Sequence, residues 1–199
     1  ASGAVGRVFI ELLDEMYPGT KDLFLVASKR SAGRSMFCGK QEFIIQDIEE
    51  FDFSQVEIAF FSAGAETAEK YAPIAVSKGC TVIDNSSQFR TDLDKPLIVP
   101  EVNSKDLKNF KLPGIIANPN CSTAQLVVAL KPIHDLFKIE RVDVASYQSV
   151  SGTGKEGIDE LLEQTESFLN KKEIKPRVYG AQIAFNAVSY THLTLPTKA

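Results

Sequence analysis

Short apolar segments of strand length alternate along this chain with segments of helical periodicity. The segment 56–62 is mostly apolar and is followed by a helical pattern at 66–78. Further strand-like segments lie at 23–28, 80–84, 115–117 and 141–150, and further helical patterns follow residue 121 and cover 156–170. Short apolar strands separated by helices are typical of a parallel sheet that is covered on both faces. The sequence therefore predicts an α/β protein.

The first residues match the second half of a glycine-rich dinucleotide-binding turn. Gly3 and Gly6 stand three residues apart, and an amphipathic helix follows at once. The strand and the glycine that precede such a turn are not in the sequence, and both ends of the chain look cut. We therefore expect a Rossmann-type domain without its first strand. A helix-opening turn of another kind is the alternative.

The end of the first predicted strand favours NADP over NAD. NAD-specific sites carry Asp or Glu here, about 20 residues after the turn, to bind the ribose 2′-hydroxyl. This chain instead has Ser28, Lys29, Arg30 and Ser31. Two cations and two hydroxyls complement a 2′-phosphate through charge-assisted hydrogen bonds. The alternative is a solvated turn that happens to be basic.

Cys121 stands where an Asn/Pro loop runs into an apolar helix. A thiol there faces unpaired backbone N–H groups and the positive end of the helix dipole, which favour thiolate. The dipole supplies at most ~2 kcal/mol, so a cationic or basic partner is still needed. The alternative is a buried structural cysteine. Cys38, before Gly39 in a predicted hairpin, and Cys80, at the start of a strand, are interpreted as structural.

Composition excludes several other classes of protein. The net charge is −4, the pI is about 5.3, and basic residues form no dense stripe, which argues against a nucleic-acid surface. No apolar run in the sequence reaches the length of a membrane span. The 3 cysteines are irregularly spaced, so they predict neither a disulfide framework nor a metal site, and they fit a reducing cytoplasm.

Motifs from residue 1 to about residue 187 resemble the aspartate-β-semialdehyde dehydrogenase family. The most specific is Asn118-Pro119-Asn120-Cys121-Ser122-Thr123. The other matching stretches are 2–6, 28–33, 62–64, 84–90, 99–103, 147–152 and 182–186. The resemblance implies an NADP-binding domain over 1–119 and the start of an α+β catalytic and dimerisation domain over 120–187. It covers only the N-terminal part of that family.

The resemblance also implies a reaction. A family member reduces β-aspartyl phosphate with NADPH and gives aspartate β-semialdehyde and inorganic phosphate, on the route to lysine, threonine, methionine and isoleucine. The cysteine that matches Cys121 attacks the acyl phosphate, and the resulting thioester is then reduced. A thiolate suits both steps, because it is a strong nucleophile and a good leaving group. The full-length protein would be a homodimer or a dimer of dimers, with no metal.

Roles for the other site residues also come from the resemblance. Gln148 would orient the acyl intermediate, and Arg90 and Asn120 would bind the substrate phosphate. Cofactor contacts would come from Ser2, Gly3, Ala4, Val5, Lys29, Arg30, Ser31, Ser62, Ala63, Gly64, Ser151 and Gly152. Each has a plainer alternative: Arg90 lies near several aspartates and could form an exposed ion pair, and Gln148 could bond a neighbouring backbone group.

The chain departs from the family at its C-terminal end. Residues 188–199 fit neither the family nor a helix, and we interpret them as a foreign tail. The family's general-base histidine lies beyond the matching part. His134 cannot replace it, because 13 helical residues at ~1.5 Å each place it about 20 Å from Cys121. Because the first strand is missing, we expect the 199-residue chain to be poorly stable. Because the histidine is missing, we expect it to be inactive as an enzyme.

Two other hypotheses remain open at this stage. One is a different acyl-phosphate reductase on the same plan, such as the N-acetylglutamyl-phosphate enzyme or glyceraldehyde-3-phosphate dehydrogenase. These carry other residues around their cysteine. The other is a nucleotide-binding module without catalytic activity.

Overall fold

The computed structural model describes residues 1–186, which belong to two compact units, Ala1–Val144 and Ala145–Ala199. The predicted foreign tail at 188–199 lies outside the described residues. The helices are α1 (Ala4–Met16), α2 (Ala65–Ser77), α3 (Pro100–Asn103), α4 (Cys121–Phe137) and α5 (Lys155–Leu169). The strands are β1 (Leu25–Ala27), β2 (Ser35–Cys38), β3 (Gln41–Asp47), β4 (Ile58–Phe61), β5 (Thr81–Asp84) and β6 (Ile115–Ala117).

The first unit contains a mixed sheet of three strands in the order β1-β3-β2. β1 runs parallel to β3, and β2 pairs antiparallel with β3 through a hairpin in which Gly39 has φ of 56°. Glycine suits this turn because side chains disfavour positive φ. Ile10 of α1 packs on the buried residues Leu25 and Ile45 of this sheet. The predicted hairpin at Cys38 and Gly39 is therefore present.

The same unit contains a second, fully parallel sheet in the order β4-β5-β6. α2 lies against it, and its buried residues Ala72 and Ala75 pack with Val82 of β5 and several aromatic rings. Val26 of β1 contacts this core, so the two sheets share apolar packing. Parallel strands linked by helices confirm the predicted α/β class. Among residues 1–186, no helix combines the length and the apolar character needed to span a bilayer.

Three strands of the parallel sheet end at polar residues on one edge. Ser62 follows β4, Asn85 follows β5 and Asn118 follows β6. The backbone N–H of Asn85 donates to Phe61 and that of Asn118 donates to Asp84, so the ladder continues to this edge. Carboxyl ends of parallel strands are where α/β proteins bind their ligands.

The second unit is organised by buried polar residues of α5. Glu160 accepts hydrogen bonds from the backbone N–H groups of Arg177, at 3.1 Å, and Val178. Gln164 accepts from Ile183 and Ala184 at 2.8 and 3.1 Å, and it donates to Glu160 at 2.7 Å. Two turns of one helix therefore hold the segment 177–184.

Most predicted elements are present, with strands somewhat shorter than their apolar segments. The predicted strand at 141–150 is wrong: residues 141–149 are irregular and exposed, and Val150 begins a short 3₁₀ helix. A strand needs a neighbour to complete its hydrogen bonds. No strand in the described part of the chain lies beside these residues.

Candidate active site

Cys121 is the first residue of α4, and its thiol is exposed. Asn120 caps the helix: its side-chain oxygen accepts from the backbone N–H of Ser122 at 3.0 Å. The sulfur of Cys121 lies 3.9 Å from the same oxygen. This cap satisfies one of the unpaired N–H groups in the first turn of α4. Because the thiol is exposed, Cys121 is not the buried structural cysteine that was the alternative interpretation.

The other two cysteines are buried. Burial raises the pKa of Cys38, and the nearby Asp14 carboxylate raises it further. Burial also raises the pKa of Cys80. Both thiols are therefore held in the unreactive protonated form, as a structural role requires.

Arg90 is joined to the loop that precedes Cys121. Its Nε donates to the carbonyl oxygen of Asn118 at 2.9 Å, and its Nη2 donates to that of Asn85 at 3.0 Å. The side chains of Asn118 and Asn85 are bonded to each other at 2.7 Å. No ion pair to a carboxylate forms at Arg90 within residues 1–186, so the exposed ion pair considered from the sequence is not found.

The glycine-rich turn at the start of the chain leaves the N-terminus of α1 without a side-chain cap. Gly3 precedes α1 and offers no side chain to cap its first N–H groups. A Cβ at Gly6 would collide with the carbonyl oxygen of Ala1, so the turn requires glycine there. Ala4 and Val5 begin the helix and are exposed. An uncapped helix N-terminus of this kind suits a phosphate group.

The basic turn after β1 lies next to the glycine-rich turn. The hydroxyl of Ser2 donates to that of Ser31 at 3.0 Å, which joins two predicted cofactor segments 29 residues apart. Lys29 and Arg30 are exposed, whereas Ser31 is buried. A cleft of about 490 Å³ opens beside the turn and is lined in part by Lys29, with Asp47 and Glu50 also in its walls.

Ser62, Ala63 and Gly64 form the connection between β4 and α2. All three are exposed, and Gly64 precedes the helix with φ of 87°. They leave the same sheet edge as Asn85 and Asn118. The carboxyl ends of β4, β5 and β6 therefore carry the segment 62–64, Arg90, Asn120 and Cys121. The segments 2–5 and 29–31 form a separate group after β1.

The predicted residues of the second unit cluster around the 3₁₀ helix Val150–Thr153. The side chain of Gln148 lies over Gly152, where a Cβ would come within 2.5 Å of its Nε2. The hydroxyl of Ser151 is bonded to that of Ser149 at 2.7 Å. Gln148 itself is exposed and makes none of the backbone hydrogen bonds considered for it from the sequence.

Several residues of these clusters were not recognised as site residues from the sequence. Asn85 and Asn118 join two strand ends, and Tyr179 donates to Thr153 at 2.8 Å and thereby braces the turn that carries Ser151. The Asn85 and Asn118 positions stand directly after predicted strands, which is the signal that could have found them. Within residues 1–186, no group of three or more metal-ligating side chains is present.

The fold and this sheet edge define an α/β protein of the dinucleotide-binding type, with an exposed cysteine in the same unit as the glycine-rich turn. Comparison with known proteins makes the class specific. The family model described as semialdehyde dehydrogenase, NAD binding domain, matches residues 1–110, and the one described as semialdehyde dehydrogenase, dimerisation domain, matches 130–196. The chain belongs to the semialdehyde dehydrogenase family.

Individual relatives agree with this assignment. The chain is 54% identical over 189 residues to an aspartate-semialdehyde dehydrogenase of Shewanella sp. strain DB6705, and 52% identical over 188 residues to aspartate-semialdehyde dehydrogenase 2 of Vibrio cholerae. Each alignment covers 94% of this chain and 56% of the relative. The chain therefore spans little more than half the length of the curated relatives that it matches.

Solved structures show the same fold. Aspartate semialdehyde dehydrogenase II of Vibrio cholerae, complexed with ASA, superposes with a TM-score of 0.85 at 52% identity and covers 94% of this chain and 55% of its own. The enzyme of Candida albicans, solved with NADP, superposes with a TM-score of 0.58 at 30% identity over 69% of this chain and 46% of its own.

Proposed function

We propose that the protein containing this chain reduces β-aspartyl phosphate to aspartate β-semialdehyde with NADPH and releases inorganic phosphate. The observation that carries the proposal is Cys121, an exposed thiol at a capped helix N-terminus on the ligand-binding edge of the sheet. It occurs in a chain that is more than half identical to named aspartate-semialdehyde dehydrogenases.

The residues of the first unit fit a dinucleotide. The uncapped start of α1 offers N–H groups to a pyrophosphate, and Gly6 allows the backbone to come close. When bound, the nicotinamide supplies a hydride, which is chemistry that protein side chains cannot provide. Ser151 and Gly152, in the short turn of the second unit, are proposed as the contacts at the nicotinamide end.

Cys121 performs the covalent step in this proposal. Its thiolate forms a bond to the acyl carbon, the carbon–oxygen bond to the phosphate breaks, and phosphate leaves with that electron pair. The thioester that remains accepts the hydride, and the thiolate departs as the aldehyde forms. Asn120 has a free amide N–H₂ in the described structure, and Arg90 has N–H groups left after its two carbonyl contacts. Both can donate to the substrate phosphate.

Gln148 completes the proposed set of catalytic residues. Its amide lies over Gly152 and is exposed, so it is available to a ligand. A carboxamide beside an acyl group can donate to the developing oxyanion, which is where enzymes gain most electrostatic stabilisation. We assign it to the orientation of the thioester carbonyl.

The oligomeric state, the cellular compartment and the pathway are also proposals. Belonging to a family with a dimerisation domain supports a homodimer, and three free thiols in the described residues suit the cytoplasm. The reaction would serve the synthesis of amino acids derived from aspartate, namely lysine, threonine, methionine and isoleucine. Neither a nucleic acid nor a membrane is a proposed partner.

The nucleophile is tested by substitution in the full-length protein, obtained by extending the chain from its gene. Cys121→Ala should reduce turnover of β-aspartyl phosphate at least ~10³-fold, because the covalent route is lost. Cys38→Ala and Cys80→Ala are the matched controls and should retain most of the activity. A covalent adduct that maps by mass spectrometry to Cys80 instead of Cys121 would refute the assignment. Phosphate-dependent oxidation of glyceraldehyde 3-phosphate at a higher kcat/KM would favour the other acyl-phosphate reductases.

The preference for NADP rests on Lys29 and Arg30, which are both exposed after β1. Of the two, Lys29 lines the adjacent cleft. Arg30→Ala should weaken NADPH binding by about 10-fold or more, since a charge-assisted hydrogen bond contributes roughly 1.5–3 kcal/mol. NADH binding should remain almost unchanged. Fluorescence titration of both cofactors measures this, with Arg34→Ala as a control at a nearby exposed arginine. Equal losses for the two cofactors would contradict the proposal.

A further inference from the structure

We propose that Tyr179 is a positioning residue for the cofactor: its hydroxyl fixes the 3₁₀ helix Val150–Thr153 in the conformation that binds the nicotinamide half of NADPH. The inference rests on the proposed function, in which Ser151 and Gly152 contact that half of the cofactor. It adds a residue to the site and states which half of the dinucleotide depends on it.

The hydroxyl of Tyr179 ties this 3₁₀ helix to a distant part of the sequence. It donates to Oγ1 of Thr153 at 2.8 Å, across 26 residues, and lies 3.5 Å from the carbonyl oxygen of Val150. Within residues 1–186, the other hydrogen bonds of the 3₁₀ helix are local, such as the one from the N–H of Gly152 to the carbonyl of Ser149 at 3.0 Å. Tyr179 therefore anchors the 3₁₀ helix from outside its own stretch of sequence.

Tyr179 is itself held firmly in place. Its side chain is buried, and the two residues before it, Arg177 and Val178, donate their backbone N–H groups to the buried carboxylate of Glu160 in α5. A buried tyrosine hydroxyl needs a polar partner, and Thr153 supplies it. The position of the 3₁₀ helix is therefore set by α5 through Tyr179.

A glycine in the first turns of α5 leaves room for this contact. Gly157 is buried, and a Cβ there would lie 3.0 Å from both the Tyr179 hydroxyl and Cβ of Thr153, and 3.2 Å from the carbonyl oxygen of Val150. Glycine inside a helix is less favourable than alanine. At this position it allows Tyr179 and the 3₁₀ helix to meet against α5.

The anchor should matter for one half of the cofactor only. Ser151 and Gly152, the proposed contacts at the nicotinamide end, lie inside the anchored 3₁₀ helix. The segments proposed to bind the other half, 2–5 and 29–31, belong to the first unit. A site that is already in its binding conformation loses less conformational freedom when the ligand binds. Removing the anchor should therefore weaken binding of the whole dinucleotide but not of a fragment that lacks the nicotinamide.

Removal of the hydroxyl tests the proposal in the full-length protein. Tyr179→Phe keeps the buried ring and loses only the hydrogen bond. Isothermal titration calorimetry measures the Kd of NADPH and that of adenosine 2′,5′-bisphosphate, which lacks the nicotinamide half. In Tyr179→Phe the Kd of NADPH should rise ~3–10-fold, as expected for one neutral hydrogen bond, and that of the bisphosphate should not change. Tyr71→Phe is the matched control at an equally buried tyrosine of the first unit and should change neither Kd.

Substitutions of Thr153 test the same hydrogen bond from its other side. Thr153→Val removes the acceptor and should weaken NADPH binding as much as Tyr179→Phe does, whereas Thr153→Ser keeps a hydroxyl and should bind NADPH normally. The double variant Tyr179→Phe/Thr153→Val should lose no more than either single variant, because the two side chains share one bond. If Tyr179→Phe does not fold, as judged by circular dichroism, the two Thr153 variants carry the comparison.

The results that would overturn the inference differ in what else they affect. Unchanged NADPH binding in Tyr179→Phe and Thr153→Val, or equal weakening of NADPH and the bisphosphate, would remove the positioning role but leave the proposed reaction intact. Equal affinity of the unsubstituted protein for the two ligands would show that no contact to the nicotinamide half contributes to binding, and would also overturn the inference alone. If the unsubstituted full-length protein does not bind NADPH, the proposed function fails together with the inference.

Discussion

At the scale of single residues, the chemistry of this protein depends on where three similar thiols are placed. Cys38 and Cys80 lie in apolar surroundings that raise the pKa of each, whereas Cys121 is exposed at the start of α4. The difference between an inert and a reactive thiol therefore comes from burial and from the groups that face the sulfur. The side-chain oxygen of Asn120 lies 3.9 Å from the sulfur, and the same oxygen accepts the backbone N–H of Ser122.

Substitution of Asn120 should separate its capping role from its effect on the thiol. Asn120→Ala removes the cap and should lower the free energy of unfolding by about 1 kcal/mol. Asn120→Asp keeps the cap, so its stability should be near that of the unsubstituted chain. Its carboxylate would lie beside the sulfur, however, and its negative charge should slow the alkylation of Cys121 at pH 7.

Urea unfolding measures the change in stability, and the rate at which iodoacetamide alkylates Cys121 at pH 7 measures the effect on the thiol. Asn109→Ala, at the end of a 3₁₀ helix away from the cysteine, is a control for the loss of an asparagine side chain. Faster alkylation in Asn120→Asp than in the unsubstituted chain would contradict this account of the thiol's surroundings.

At the scale of secondary-structure elements, local patterns predicted the helices and strands, but not the contacts that assemble the sites. The segment 115–117 was predicted as a strand because apolar side chains dominate it, and it is β6. The segment 141–150 shows a comparable pattern and is irregular, because a strand also needs a partner. The bond between Arg90 and Asn118 joins residues 28 apart, and no local pattern reports such a pairing.

The buried polar face of α5 shows the same limit. Its pattern predicts an amphipathic helix, in which Glu160 and Gln164 would belong to the solvent side. Both are instead nearly inaccessible, and they hold the segment 177–184 through backbone N–H groups. A sequence records that a residue is polar but not whether its partners are water or backbone, so this network could not be predicted.

The Glu160 network predicts a response to acid. Burial alone would raise the pKa of Glu160, but hydrogen bonds from the backbone N–H groups of Val178, Arg177 and Tyr179 outweigh it and lower the pKa. Because the folded pKa lies below that of the unfolded chain, this contribution to stability is present above the unfolded value of ~4.3 and is lost as the pH falls through the folded pKa.

Hydrogen exchange at Val178 measures this response. Its protection, corrected for intrinsic rates, should fall as the pH drops below the unfolded value of ~4.3 and should be lower and less pH-dependent in Glu160→Gln. Glu163→Gln is the matched control, since Glu163 forms an exposed ion pair with Arg177 that contributes little. Equal changes in the two variants would show that charge near Arg177, and not the buried network, holds the segment.

At the scale of the whole molecule, the two edge strands of the parallel sheet in the first unit differ in how well they are covered. The β6 edge of the parallel sheet is partly covered by a bridge between Leu97 and Ala117. β4, at the other edge, pairs only with β5 among the described residues, and its Ile58 and Phe60 are each 55% exposed. Phe60 contacts Phe9 of α1 with ring centroids 4.5 Å apart. Ile58 is equally exposed, and its replacement leaves this ring contact intact.

An exposed apolar edge strand is a template for pairing with another chain, so the 199-residue chain should associate as its concentration rises. Ile58→Lys should suppress this association, because a charge on an edge strand opposes pairing and its long side chain still covers apolar surface. Leu93→Lys adds the same charge at a loop position that is 77% exposed and should have little effect. Sedimentation velocity over a range of concentrations distinguishes the variants. If both lysines suppress association equally, net charge controls it and the β4 edge does not.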